Sequence, residues 1–314
     1  MVKGELERLM AALEGDLVEV EAKRKRALQV GFAAVAALPL SFGGLAALHL
    51  GELAGIGTIV LTAIGLGIFA AYKHDFACSY KRLVIGRLVK RLDPSMTYAP
   101  DGYVEVEAFS RSLQASTDWN RYRGEDHIEG TYRGLHRCVS ELDVRCKEGK
   151  HEHVVFKGLF AEQELQEPID GHVVIVPDQA EQLFGRFAAM FQRRRTERGV
   201  LVRFDDDPPF EKRFAVYASD ERLARAMLPP GRRAQLVALA TERCAHGLGV
   251  SFVETMAYVA ITCHHDMFEP SLLRSANDPG PLKTYVQDLR FAMGLMGKLG
   301  LETATGGAVG RREA

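Results

Sequence analysis

Residues 27–72 read ALQVGFAAVAALPLSFGGLAALHLGELAGIGTIVLTAIGLGIFAAY, and within them 27–48 and 53–72 contain no charged side chain. Each run is about 20 residues, and a helix rising about 1.5 Å per residue then spans a hydrocarbon core of about 30 Å. Two adjacent runs of this kind predict a pair of transmembrane helices rather than a buried pair in a soluble core. Only His49, Leu50, Gly51 and Glu52 join them, so the helices must lie side by side and antiparallel. Ala33, Ala37, Ala63, Gly67 and Ala71 are the small residues expected to let them approach closely in lipid. Pro39 predicts a kink in the first span, tolerated where neighbours satisfy the backbone.

Charge sets the orientation. Lys23, Arg24, Lys25 and Arg26 precede the first run, and Lys73, Lys81, Arg82, Arg87, Lys90 and Arg91 follow the second, whereas the joining loop has no Lys or Arg. Basic flanks stay on the cytosolic side. The expectation is a multi-pass protein of the plasma (inner) membrane, bacterial in type, with both termini cytosolic. A cleaved signal peptide fits poorly, because the leading segment is long and acidic and a second span follows at once.

The rest of the composition is that of a folded globular chain. A net charge of −1 on 314 residues excludes a surface that is basic throughout, and no nucleic-acid partner is expected. Cys78, Cys138, Cys146, Cys244 and Cys263 are odd in number and form no Cys-x-x-Cys pair. That pattern suits a reducing compartment rather than a disulfide framework.

Five segments follow. Residues 1–26 predict a cytosolic amphipathic helix, with Leu6, Leu9, Met10, Leu13, Leu17 and Val20 on one side. Residues 27–72 are the hairpin. Residues 73–95 predict a juxtamembrane basic helix packed through Leu83, Ile85, Leu88, Val89 and Leu92 and stopped at Asp93-Pro94. Its basic residues are expected to face anionic lipid headgroups, at roughly 1 kcal/mol each near the surface. Residues 96–273 predict a cytosolic domain, and 274–314 a final helix with a disordered tail after Leu301.

In the cytosolic domain, runs rich in Val, Ile, Phe and Tyr bounded by Gly, Pro and Asp predict strands at 154–156, 172–176, 200–204, 213–217, 251–254 and 257–263. The last two are close enough for a hairpin. A helix is expected after Pro177, with Asp178 as N-cap, Glu181 three residues on and a stripe from Leu183 to Phe191. Further helices are expected at 220–227, 232–246 and 282–299, with a linker at 270–281. Strands and helices do not alternate regularly, so the fold class is α+β: a two-helix transmembrane hairpin, then a domain with a mainly antiparallel sheet and several helices.

Several blocks carry a resemblance. They are Trp119-Asn120-Arg121-Tyr122, Gly124-Glu125-Asp126-His127-Ile128-Glu129-Gly130, Ser140-Glu141-Leu142, Val155-Phe156-Lys157-Gly158-Leu159-Phe160, Val176-Pro177-Asp178, Phe210-Glu211-Lys212-Arg213-Phe214-Ala215-Val216-Tyr217, Ala224-Arg225-Ala226-Met227-Leu228-Pro229 and Phe268-Glu269-Pro270. In this order they resemble an uncharacterised bacterial family of membrane proteins, catalogued as a domain of unknown function, over roughly 96–273. The chain departs from it at Pro168-Ile169-Asp170-Gly171, where an aromatic is expected before the glycine. The resemblance brings no catalytic residues.

Candidate chemistry is sparse. His151-x-His153 reads as an exposed hairpin tip rather than a metal pair. Cys244, His246, Cys263, His264 and His265 are soft ligand types for zinc, but the usual ligand spacing is missing. Asp205-Asp206-Asp207 lacks the glycine and distal glutamate of a calcium loop and reads as a turn before Pro208-Pro209. Gly-x-Gly-x-x-Gly and Gly-x-Ser-x-Gly are both absent. Arg193-Arg194-Arg195 with Arg198 reads as a solvated helix end. No metal, cofactor or catalytic residue is assigned. Glu125, Asp126, Glu141, Lys157, Glu211, Arg225 and Glu269 stand in the recognisable blocks and are the candidates for a groove or partner contact.

Two readings follow from these residues. The first is a membrane-tethered interaction module of unassigned activity, presenting its domain at the inner leaflet to a protein or ligand, with a protein partner or homo-oligomer forming through the N-terminal helix or the spans. The alternative is a membrane-anchored enzyme, a hydrolase or metal-dependent activity at the cytosolic surface. A channel would need an oligomer, since the spans carry no ionisable residue.

Overall fold

The computed structural model describes the backbone of residues 3–47, 52–115, 117–178, 197–242, 247–263 and 266–300. The chain divides into two units, Met1–Arg91 with Phe268–Gln287, and Leu92–Met267 with Asp288–Ala314.

The first unit is helical. α1 (Lys3–Ala12) is followed after Leu13 by α2 (Glu14–Ala47), and α3 (Glu52–Tyr80) runs on through a π-helical turn at Lys81–Ile85 into α4 (Gly86–Leu92). α2 and α3 are antiparallel partners. A Cβ added to Gly31 would lie 2.8 Å from the Phe69 ring, and one added to Gly65 would lie 3.3 Å from Ala34 Cβ. The contact stripe therefore runs through Gly31, Ala34, Gly65 and Phe69. The small residues expected there, Ala33, Ala37, Ala63, Gly67 and Ala71, are exposed instead. Small size was read correctly as the licence for close approach, but the helix phase was misjudged by about one residue in a helix of about 3.6 residues per turn.

Below this pair Leu13, Leu17, Val20, Phe76, Tyr80, Val84, Ile85, Leu88 and Val89 are buried, and Leu9 and Met10 are partly buried. Part of the flanking charge is internal. Lys23 binds Asp75 at 3.1 Å, Arg87 binds Asp16 at 2.7 Å, and Lys81 lies 3.6 Å from Glu269. Glu21 takes two hydrogen bonds from Arg24, at 2.7 and 2.9 Å, and one from the Ala276 N–H at 2.8 Å. Those bonds hold the Glu21 carboxyl down to about 2 against its burial.

Among the described residues one helix, Ile56–Leu92, is long and apolar enough to cross a membrane, and its most apolar stretch is wholly unburied. The sequence predicts two spans. The first uncharged run forms the later part of α2, which begins with the charged segment 14–26, and no side chain is described over 38–47. Along the pair, Phe32 (72 %), Val35 (65 %), Ile59 (70 %) and Ile64 (53 %) are exposed, as are Ile56, Val60, Leu61, Leu66 and Ile68.

The second unit is built, among the described residues, on a nine-stranded sheet in the order β1-β2-β3-β4-β9-β8-β5-β7-β6. The strands are β1 (Thr97–Ala99), β2 (Arg121–Tyr132), β3 (Leu135–Glu148), β4 (His151–Glu164), β5 (His172–Pro177), β6 (Val200–Val202), β7 (Phe214–Ala218), β8 (Leu248–Val253) and β9 (Met256–Thr262), all paired antiparallel. The helices around it are α5 (Val106–Arg111), α6 (Pro208–Glu211), α7 (Glu221–Met227) and α8 (Pro230–Leu239), and α9 (Pro279–Lys298) ends in this unit. The α+β class and the antiparallel sheet are as expected, and β8 and β9 form the expected hairpin.

The longest strands are the ones the sequence hides. β2 and β3 meet at Arg133-Gly134, both at positive φ, a two-residue hairpin turn of the kind that matches strand twist. β3 and β4 meet at Gly149-Lys150, so His151 is a strand end beside the tip. One face of this sheet packs on Phe109 of α5, whose ring meets Phe160 at 5.3 Å, Phe156 at 5.7 Å and Trp119 at 5.9 Å. Val173, Val174 and Ile175 of β5 are buried on both faces, which explains their unbroken apolar run.

Two expectations meet the structure here, and others fall outside it. Arg198 is buried, not solvated, and donates to the carbonyls of Leu113 (2.9 Å), Gln114 (3.2 Å) and Ala115 (3.0 Å). Asp206 and Asp207 are a turn, tied to Arg233 at 2.8 Å each, and Asp207 caps α6. The helix expected after Asp178, the Arg193–195 run and the tail after Leu301 lie outside the described residues.

Candidate functional site

The polar centre of the second unit is a bulge. In β2, Glu125 pairs with Glu141 and Ile128 with Val139, so Asp126 and His127 together face the single residue Ser140. Bulges re-aim side chains and gather next to functional sites. Asp126 sits at φ 60°, a conformation Asp tolerates better than most residues. Its N–H donates to Pro100 O at 2.9 Å, and the Tyr98 hydroxyl donates to its carboxylate. Burial foremost, and then that carboxylate, raise the Tyr98 pKa.

Beside it stands a serine–histidine–glutamate line. His127 Nδ1 is 2.8 Å from Ser140 Oγ, and His127 Nε2 is 3.4 Å from Glu129. The residue types are those of a nucleophilic relay. The surroundings are not, because Ser140 is fully buried and its oxygen already accepts the Val104 N–H at 3.0 Å. This line pins the bulge to the chain before α5.

Glu141 is the group with unused chemistry. It is 5 % exposed, its Oε2 accepts the Met267 N–H at 3.1 Å, and its Oε1 is buried without a hydrogen-bond partner. Burial raises its pKa most, the Met267 N–H opposes that, and Asp266, Asp126 and Glu125 add to the rise, leaving it at about 7. Lys157 reaches Asp266 at 2.9 Å, and Cys263 N donates to Lys157 O at 3.0 Å. Cys263, Asp266 and Met267 are thus each tied to β3 or β4. Gly158 makes the close approach feasible: at φ 149° its missing Cβ would lie 2.1 Å from Ile261 O and 2.6 Å from Cys263 N.

Of the seven candidates, Glu125, Asp126, Glu141 and Lys157 come together here. Glu211 and Arg225 lie elsewhere in the same unit: Glu211 binds Arg203 at 2.6 Å and the Phe204 N–H at 2.9 Å, and Arg225 binds Glu221 at 2.8 Å with its guanidinium over the Phe204 ring. Glu269 belongs to the helical unit. Tyr98, His127, Ser140 and Asp266 complete the cluster and were not singled out for it. Cys263 is buried, while Cys244, His246, His264 and His265 lie outside the described residues. Among the described residues no group of His, Cys, Asp and Glu is arranged to hold a metal ion.

The cluster makes a pH prediction. The folded chain holds the Glu141 proton up to about pH 7, whereas an unfolded chain releases it near 4.5. Stability should therefore fall as pH rises through this window, with the penalty absent below it and full above it, on the order of 3 kcal/mol. Gln at this position keeps an acceptor for Met267. Glu141→Gln is expected to raise the unfolding midpoint over wild type at pH 8 and to change it little at pH 4.5. A difference independent of pH would contradict the assignment.

Comparisons with known proteins bear on part of this cluster. Residues 154–301 match a family model described as "Protein of unknown function (DUF3137)". The match covers a little under half the chain, and its description assigns no activity. It takes in Lys157, Gly158 and Asp266. Asp126, Ser140 and Glu141 precede it, as do the blocks from Trp119 to Leu142, and it runs beyond 273, where the resemblance was expected to end. A search of the curated proteins finds no match. Among solved structures, the chain is similar to the crystal structure of the mycobacterial trehalose monomycolate transport factor A, TtfA, at 14 % identity over 66 % of this chain and 95 % of that one, with a TM-score of 0.32. A likeness of that size carries no argument about fold or activity.

Proposed function

We propose that the chain is an integral membrane protein in which α2 and α3 insert as a hairpin, both termini stay cytosolic, and the α+β unit is presented at the inner leaflet as an interaction module. The observation that carries this reading is the outward-facing apolar surface of the two helices, Phe32 and Val35 on α2 and Ile56, Ile59, Val60, Leu61, Ile64, Leu66 and Ile68 on α3. In water, exposed apolar area of that extent is a liability, and contiguous patches of this kind mark membrane or partner surfaces. In lipid, an apolar exterior and small residues between the helices are the rule. Basic residues at the two open ends and none in the joining loop supply the orientation.

A module rather than an enzyme is favoured by the sealed Ser140 line, which leaves no accessible nucleophile there. The anchored-enzyme reading keeps one supporting observation, the Glu141 carboxyl poised near neutrality, as a general acid or base would be. Reporter domains fused in turn to each terminus and into the 49–52 link test the topology. Both termini are expected to report from the cytosol and the link from the far side; a terminus reporting from outside would overturn the orientation.

A further inference from the structure

Leu273 is the most exposed large apolar side chain among the described residues, at 87 %. A single surface leucine is ordinary on a protein that faces only water. This one is held in place, and at a set height on the helical unit. We infer that the turn at 271–274 is a third lipid contact, which seats Leu273 in the cytosolic leaflet at the boundary between headgroups and acyl chains. The inference rests on the membrane reading and goes beyond it, since that reading inserts only α2 and α3.

The height follows from hydrogen bonds to α2. Arg24 Nη1 donates to the Leu272 carbonyl at 2.9 Å, and Glu21 accepts the Ala276 N–H at 2.8 Å and the Ser275 hydroxyl at 3.2 Å. The turn therefore lies against α2 between Glu21 and Arg24, with its 272 end nearer the uncharged run. At about 1.5 Å per residue, Arg24 is about 4.5 Å and Glu21 about 9 Å from Ala27, where that run begins. α3 gives the same level. Lys23 binds Asp75 at 3.1 Å and Ser79 at 2.7 Å, and Asp75 is about 4.5 Å along α3 from Tyr72, where its uncharged run ends. The two runs begin at one height, which fixes the hydrocarbon edge on both helices. Each headgroup layer beyond that edge is about 5–8 Å deep. The Leu272 carbonyl, and Leu273 with it, falls in that layer.

The turn is also built to stay there. Both side chains of the Glu21–Arg24 pair that holds it are largely buried. The Asn277 and Asp278 N–H groups bond back onto Ser275, at 3.2 and 3.0 Å. A leucine already fixed by folding needs no further ordering to enter lipid. Arg274 is exposed beside it, and an arginine stem lies along apolar surface while its guanidinium stays among polar groups. Val18 is the internal contrast. It is 62 % exposed on α2, but about 13.5 Å from Ala27 along the helix, beyond the headgroup layer.

The test uses the full chain in vesicles of phosphatidylcholine and phosphatidylglycerol, with and without phosphatidylcholine brominated on its acyl chains, which quenches tryptophan on contact. Leu273→Trp, Val18→Trp and Ile64→Trp are each read against wild type, whose only tryptophan, Trp119, packs on Phe109 in the sheet unit. All three positions are exposed, so the substitutions leave the packing intact. Leu273→Trp is expected to emit at a shorter wavelength than Val18→Trp and to be quenched at least threefold more, with Ile64→Trp quenched most. Quenching of Leu273→Trp no greater than that of Val18→Trp, with Ile64→Trp quenched, would overturn the inference and leave the anchor standing. Ile64→Trp without quenching would remove the anchor and this inference together.

Discussion

Ile64→Arg is expected to lower the membrane-inserted fraction of the chain on the order of a hundredfold. Ile64 lies near the middle of the uncharged run 53–72 and is 53 % exposed, between the exposed Val60, Leu61 and Ile68. An arginine at the centre of a spanning helix costs about 2.5–3.5 kcal/mol on insertion scales, and each 1.4 kcal/mol is about tenfold in an equilibrium. If the same face met water, the substitution would fall within about 0.5 kcal/mol of neutral. The two environments thus predict effects of very different size. The inserted fraction of full-length chain synthesised in the presence of lipid vesicles reads the difference, with Ile64→Leu as the control expected to insert like wild type. Equal insertion of the arginine variant would place this face outside the hydrocarbon.

Gly158→Ala is expected to destabilise the sheet unit by several kcal/mol, about 3–5, the range of substitutions that force backbone apart or hold a side chain in a forbidden conformation. Two effects add. At φ 149° any Cβ is strained, and this one would sit 2.1 Å from a carbonyl oxygen of β9, which is backbone and cannot rotate away. Gly134→Ala separates them. It is also at positive φ, 81°, but its Cβ would meet nothing within 4 Å, so it should cost only about 1 kcal/mol of backbone strain. Chemical unfolding followed through Trp119, in the core beside Phe109, reads both. A Gly158→Ala midpoint no lower than that of Gly134→Ala would show that β4 and β9 do not approach as described.

What could be read from the sequence follows from where the chain puts its information. The apolar run 172–176 and the stripe of α9 are buried by side chains that announce it. β2 and β3 did not announce themselves. In β3 residues 137–142 are all buried, and Arg137, Cys138, Ser140 and Glu141 among them blur any apolar pattern. β2 is half charged and turns back through Arg-Gly, a pair outside the commonest hairpin signals. The same gap hid part of the site. Glu125, Asp126, Glu141 and Lys157 stood in readable blocks, but that the first two face Ser140-Glu141 depends on a bulge, and a bulge is a property of pairing that one strand cannot display alone. Arg198 was misread because a basic run suggests solvent, whereas its guanidinium donates to three backbone carbonyls. Between α2 and α3 the small residues were the right kind at the wrong phase.

The anchor is the claim on which the reading of function depends, and an alkaline carbonate wash of membranes from cells making the intact chain tests it most directly. Such a wash strips proteins held by charge or by partners and leaves those solvated by acyl chains. The account predicts that the chain stays in the membrane pellet and enters the supernatant only with detergent. Recovery of the intact, folded chain in the carbonate supernatant would contradict it.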